Sequence, residues 1–93
     1  MKKTIIKYPV ILTEHNDESE HYYVVTSPNI KGMVTDGRTI PEALDNAKDA
    51  LATMLANEEE YPEVQDPSTW NLEKGQQTSW VSVNIARWLD KNN

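Results

Sequence analysis

Residues 22–51 read YYVVTSPNIKGMVTDGRTIPEALDNAKDAL, and this stretch decides the fold. It opens on aromatic and β-branched residues, which suit a pleated, half-buried strand. Pro28 then ends the ladder, because it has no N–H to donate. In the corner PNIKG, Pro28 fixes φ, Asn29 and Gly32 tolerate positive φ, and Ile30 is an apolar plug for the core. Residues 33–36 form a short strand closed by Gly37. Thr39, followed three residues later by Glu42, is a capping box. Pro41 fits the first helical turn, whose N–H groups have no helical partner. The spacing predicts a helix to about Asn57, roughly 27 Å long. Its apolar stripe is Ile40, Ala43, Leu44, Ala47, Ala50, Leu51, Met54 and Leu55, with Asp45, Lys48, Asp49 and Thr53 in water.

Working outward, residues 5–13 (IIKYPVILT) read as a strand. Tyr8, Val10 and Leu12 point to one face and Pro9, Ile11 and Thr13 to the other. Pro9 predicts a sheet edge or a bulge. Residues 14–20 (EHNDESE) read as a polar turn, so residues 5–13 and 21–27 form an antiparallel hairpin. After the helix, residues 57–75 carry Pro62, Pro67 and the run Glu58, Glu59, Glu60. This acidic connection is expected to be pinned by Tyr61, Val64, Trp70 or Leu72; loops of such length are often functional. Residues 80–84 (WVSVN) predict a fourth strand. Ile85, Trp88 and Leu89 predict a short helix over 85–91. The expected architecture is α+β: a three-stranded antiparallel meander, one amphipathic helix packed on it, a fourth strand joining the sheet, and a short C-terminal helix. At 93 residues, one domain over 1–93 is expected.

With no cysteine in the chain, disulfides, Cys-based zinc sites and thiol chemistry are excluded. This suits a reducing cytosol. Lys7 interrupts the first apolar run, and nothing approaches the ~20 apolar residues of a membrane span. The expectation is a soluble cytoplasmic protein. The net charge is −6 and the pI about 4.7. Nucleic-acid binders rely on Lys and Arg neutralising phosphates, so this field has the wrong sign. It suits a basic protein partner, or serves solubility alone.

The order of elements, with the motifs just quoted, resembles the HicB-like antitoxin family. The resemblance rests on Pro28, Ile30 and Gly32 in the corner, Thr35 and Gly37 in the next step, and the capped helix Thr39, Glu42, Ala43, Leu44, Asn46 and Ala47. Tyr8, Pro9 and Val10 also match, and residues 70–89 match more loosely. The chain departs from the family pattern at Asn29, where Asp is usual, at Lys31, at Pro41, and in a first turn without Gly. The resemblance implies a partial ribonuclease H-like fold. It also implies a role in a toxin–antitoxin system, with a small basic HicA-like ribonuclease toxin as partner. Only about nine residues follow the last predicted strand, too few for a DNA-binding module, so no DNA binding by the chain itself is expected.

Candidate chemistry is sparse. Partial ribonuclease H likeness raises metal-dependent nuclease activity, which needs clustered carboxylates on rigid strands. Asp36 is the only acid inside a predicted strand; the others sit mainly in loops (Glu14, Asp17, Glu18 and Glu20, then residues 58–63) as solvated charge. His15 and His21, six apart across a turn, do not have a zinc spacing. No nucleophile turn or phosphate loop is present. No catalytic residue, metal or cofactor is therefore expected, and protein binding is favoured over catalysis. Candidate partner-binding residues are Glu14, Asp17, Glu18, Glu20, Tyr22 and Tyr23. Pro28, Gly32, Gly37, Thr39 and Glu42 are structural. Trp70, Trp80 and Trp88 serve either core or interface. Tyr8, Tyr22 and Tyr23 could instead stack bases in an RNA-binding module, with Lys2, Lys3, Lys7, Lys31 and Arg38 as the cations nearby. A homodimer is expected, because such a sheet leaves a face and an edge open.

Overall fold

The computed structural model describes residues 5–56 and 58–91. Lys2, Lys3 and the predicted helix end at Asn57 lie outside the described residues. Burial alternates along β1 (Ile5–Asn16): Ile6, Tyr8, Val10 and Leu12 are buried, while Ile5 and Lys7 are exposed. The alternation sets the layers, because successive strand residues point to opposite faces. β1 is followed by β2 (His21–Thr26), β3 (Val34–Gly37), α1 (Ile40–Leu55), a 3₁₀ turn (Pro67–Thr69), β4 (Gln76–Asn84) and α2 (Ile85–Lys91). The four strands form one antiparallel sheet in the order β3-β2-β1-β4. The core lies between one face of this sheet and the helices. The even-numbered residues of β1 meet Val25, Val81, Ala43, Ala47, Leu51, Ala52, Leu55 and Ile85 there. The expected α+β architecture is the one observed.

The first strand is longer than its hydropathy suggests. Glu14, His15 and Asn16 pair with Tyr23, Tyr22 and His21, so they belong to the ladder and not to a polar turn. Only residues 17–20 turn. Asp17 closes that turn without a glycine: its Oδ1 accepts the N–H groups of Ser19 (2.9 Å) and Glu20 (2.8 Å), and its own N–H donates to the Glu20 carbonyl (2.8 Å).

Pro9 sits neither on an edge strand nor at a bulge. β1 lies between β2 and β4, and its pairing with β4 runs without interruption from Ile5 to Thr13. The physical reason is local. The β1–β2 ladder ends at Ile11 and Thr26; its continuation would set Pro9 against Pro28, two residues with no N–H. The nitrogen of Pro9 faces this abandoned side, so no ladder bond is lost. Its carbonyl is satisfied by Ser27 Oγ (2.9 Å) and Asn29 Nδ2 (3.3 Å).

The corner and helix start follow their chemistry. Ile30 and Met33 are buried; Met33 therefore anchors the turn, and the third strand begins one residue later than expected. Gly32 takes φ 85°, whereas Asn29 keeps negative φ. Thr39 caps α1 through Oγ1, which accepts the Glu42 N–H at 3.2 Å. The Glu42 carboxylate reaches back to the Arg38 N–H at 3.3 Å, one residue upstream of the position a reciprocal capping box uses. Of the predicted stripe on α1, Ala43, Ala47, Leu51 and Leu55 are buried, Ile40, Leu44 and Ala50 are half-buried against the core, and Met54 is exposed; Ala52 joins the core.

Among the described residues, no helix is long and apolar enough to cross a membrane.

Candidate functional site

The β1–β2 hairpin carries all six partner-binding candidates, but the pleat divides them. Tyr22 pairs with His15, and their rings stack at 5.0 Å with 9° between planes. Both belong to the face turned away from α1. Tyr23 pairs with Glu14 and packs against the core cluster on the helix side. There the Glu14 carboxylate accepts from His21 Nε2 at 2.7 Å, and the His21 ring leans on Tyr23 at 5.3 Å. Glu14 is thus a second acid held in a strand, alongside Asp36. Asp17, Glu18 and Glu20 form the exposed tip. The hairpin therefore presents one tyrosine to each side and three carboxylates at its end.

The tip is organised by its own hydrogen bonds. Two backbone N–H groups, from Ser19 and Glu20, and the Ser19 hydroxyl hold the Asp17 carboxyl below its ordinary range. A folded value below the unfolded one means that this contribution to stability is present above the unfolded value and is lost as pH falls through the folded one. An NMR titration is expected to find Asp17 mostly ionised at pH 3.8, where a free aspartate is half protonated. A midpoint at or above 3.8 would show that the turn does not hold the carboxylate. Asp66 behaves in the same way: the Ser68 N–H and hydroxyl lower its range as it caps the 3₁₀ turn.

The acidic connection is fastened by hydrogen bonds more than by apolar anchors. The Tyr8 hydroxyl donates to the Pro62 carbonyl. Burial, with a smaller effect from Tyr61, raises its ionisation range. The Gln65 N–H donates to Asn29 Oδ1 at 2.6 Å, and Gln65 Oε1 accepts from Trp70 Nε1 at 3.0 Å. Asn29 thus holds Pro9, Ser27 and Gln65 together at one end of the sheet. An aspartate would lack the amide donor used here. Tyr61 packs on the core, and Trp70 is half-buried. Val64 and Leu72 stay exposed and pin nothing. Glu59, Glu60 and Glu63 line an open cavity together with Ile5, Tyr8 and Val64.

The three tryptophans separate. Trp88 packs on the core and donates to Asp49 Oδ1 at 3.3 Å. Trp80 faces the other way, opposite Pro9, and is 46% exposed, with the Lys7 ammonium 5.3 Å from its ring centre. Ile5 and Val34 are exposed too. Reading residues 80–84 as alternating would have found Trp80, since Val81 is buried and Trp80 must point to the opposite face. Ser27 and Gln65 carry no sequence signal of their role, because their partners lie 18 and 36 residues away.

Among the described residues, no three His, Cys, Asp or Glu side chains converge to hold a metal ion. The hairpin offers carboxylates and aromatic rings for contact.

The fold and the hairpin define an α+β domain of a kind seen in a solved toxin–antitoxin complex from Streptococcus pneumoniae. The likeness covers 90% of this chain and 72% of that one, with a TM-score of 0.77 and 21% identity. No family model matches the chain. Over 58 residues it is 38% identical to a UPF0150 protein of Thermoplasma acidophilum, spanning 62% of this chain and 80% of that protein. The chain belongs to the UPF0150 family.

Proposed function

We propose that this chain is a non-catalytic antitoxin. It binds a small basic ribonuclease toxin of the HicA type and covers the toxin's RNA-binding, active face. The observation that carries this reading is the hairpin tip: Asp17, Glu18 and Glu20 exposed together, flanked by half-buried Tyr22 and Tyr23. Carboxylates steer a basic partner and speed encounter, while an aromatic ring supplies the desolvated anchor that affinity requires. The net charge of −6 acts in the same direction. The HicB-like sequence motifs support the reading, as does the fold's likeness to a chain of a toxin–antitoxin complex.

A second reading rests on a different surface. Trp80 beneath Lys7, with the His15–Tyr22 stack, places aromatic rings and a cation on one sheet face. Bases of single-stranded RNA stack on such surfaces.

Affinity purification of the tagged chain from its own cells, after nuclease treatment, separates the two. The antitoxin reading expects one stoichiometric partner, small and basic. Recovery of the chain alone, with RNA present only when nuclease is omitted, would overturn it in favour of the RNA module.

A further inference from the structure

The two edges of the sheet are built differently. β3 is four residues long, carries the exposed Asp36 and ends at Gly37. Short length and an edge charge are the usual protections against strand-to-strand association. β4 has neither. It runs nine residues as QQTSWVSVN, with no charge, no proline and no glycine. Its pairing with β1 is unbroken from Gln76 to Asn84, so no bulge twists the edge away.

The outward groups of β4 follow from the ladder. The Glu14 N–H donates to the Gly75 carbonyl at 2.9 Å, so even-numbered residues of β1 bond toward β4 and odd-numbered residues of β4 bond back. The backbones of Thr78, Trp80 and Ser82 therefore face away from the sheet. Among the described residues they have no backbone partner. Trp80 is the middle residue of the nine and is 46% exposed.

We propose that two copies of this chain associate through the outer edge of β4, antiparallel and centred on Trp80. This inference is independent of the antitoxin reading. A two-fold axis at Trp80 sets Trp80 against Trp80 of the second copy and Thr78 against Ser82. The outward N–H groups of Thr78, Trp80 and Ser82 then meet outward carbonyls, because the strand is complementary to itself about its centre; the Gln76 N–H already donates to the Glu73 carbonyl. The two indoles lie side by side on the face away from the helices. The result is one eight-stranded antiparallel sheet with α1 of both copies on the same side. The occupant is a second copy because the edge is uncharged. Two chains of charge −6 repel elsewhere, but they meet here without opposed charges. The β4 edge then serves self-association and the hairpin tip a partner.

Sedimentation equilibrium of the purified chain, with no partner added, tests the proposal. The wild-type chain is expected at twice its 10.6 kDa mass. The Trp80→Glu variant places two carboxylates face to face at the axis and is expected to weaken association at least about 100-fold. Its circular dichroism should be unchanged, since the side chain lies outside the core. Amide exchange in the wild-type chain gives a second readout that does not depend on the variant folding. Thr78, Trp80 and Ser82 should be protected at high concentration and lose that protection on dilution. A monomer at ~100 μM, within the ordinary range for specific association, would overturn the proposal. So would a dimer in which these three amides exchange freely.

Discussion

Gly37→Ala is expected to lower the unfolding free energy by about 3 kcal/mol, at the upper end of overpacking costs. A Cβ at this position would lie 2.4 Å from Ala43 N, 2.6 Å from Ala43 Cα and 2.9 Å from Glu42 C. These are backbone atoms of the first turn of α1, and they cannot rotate aside as a side-chain tip can. Either the helix lifts from the sheet or β3 shifts outward. Both movements strain the bond from Asn46 Nδ2 to the Asp36 carbonyl, now 2.7 Å, which ties α1 to β3. For a domain of this size the loss corresponds to a melting temperature lower by about 15 °C. Thermal and urea unfolding both measure it, and a loss under about 1 kcal/mol would show that the joint yields easily. Gly37 does not adopt positive φ; what it supplies is closeness.

Leu51→Ala should cost about 2–5 kcal/mol, the range for truncating a buried leucine. Leu51 is fully buried and lies in the same core cluster as Val10, Val25 and Val81. Alanines at 43, 47 and 52 already bring α1 close to the sheet, so the surrounding backbone has little room to collapse into the void. Met54→Ala, one turn on and exposed, serves as the control and should cost less than about 1 kcal/mol. If the two variants unfold at the same urea concentration, the assignment of Leu51 to the centre of the core is wrong.

Those parts of the fold written in local chemistry were legible from sequence. Thr39 and Glu42 mark the helix start because capping acts over three residues. The spacing of Ala43, Ala47, Leu51 and Leu55 reports the buried face because a helix repeats every few residues. What needed the structure was pairing. Glu14, His15 and Asn16 have no strand character of their own, yet they are held in β1 by Tyr23, Tyr22 and His21 across the hairpin. Pro9 pointed to an edge, and its nitrogen does face an unpaired side, because β2 stops short of it; the strand is internal because β4 pairs along its other side. Gln76, Gln77, Thr78 and Ser79 extend β4 because β1 offers them partners, not because they are apolar. At the candidate site the acids of the turn were evident as acids. That Tyr22 and Tyr23 could not serve one contact together required only the alternation of a strand, a rule that assigns neighbours to opposite faces once the pairing is known.

The division between Tyr22 and Tyr23 bears on how the molecule can diversify. Tyr22, Val24 and Thr26 belong to one surface, and Tyr23 and Val25 to the other, which the helix needs. Changes at the first set can accumulate without disturbing the packing that keeps the domain folded. A lineage can revise what that surface meets, one alternate residue at a time, while the second set is held still by selection for stability. Deleting a single residue within β2 would exchange the two inheritances at once, placing residues free to vary where the core requires constancy.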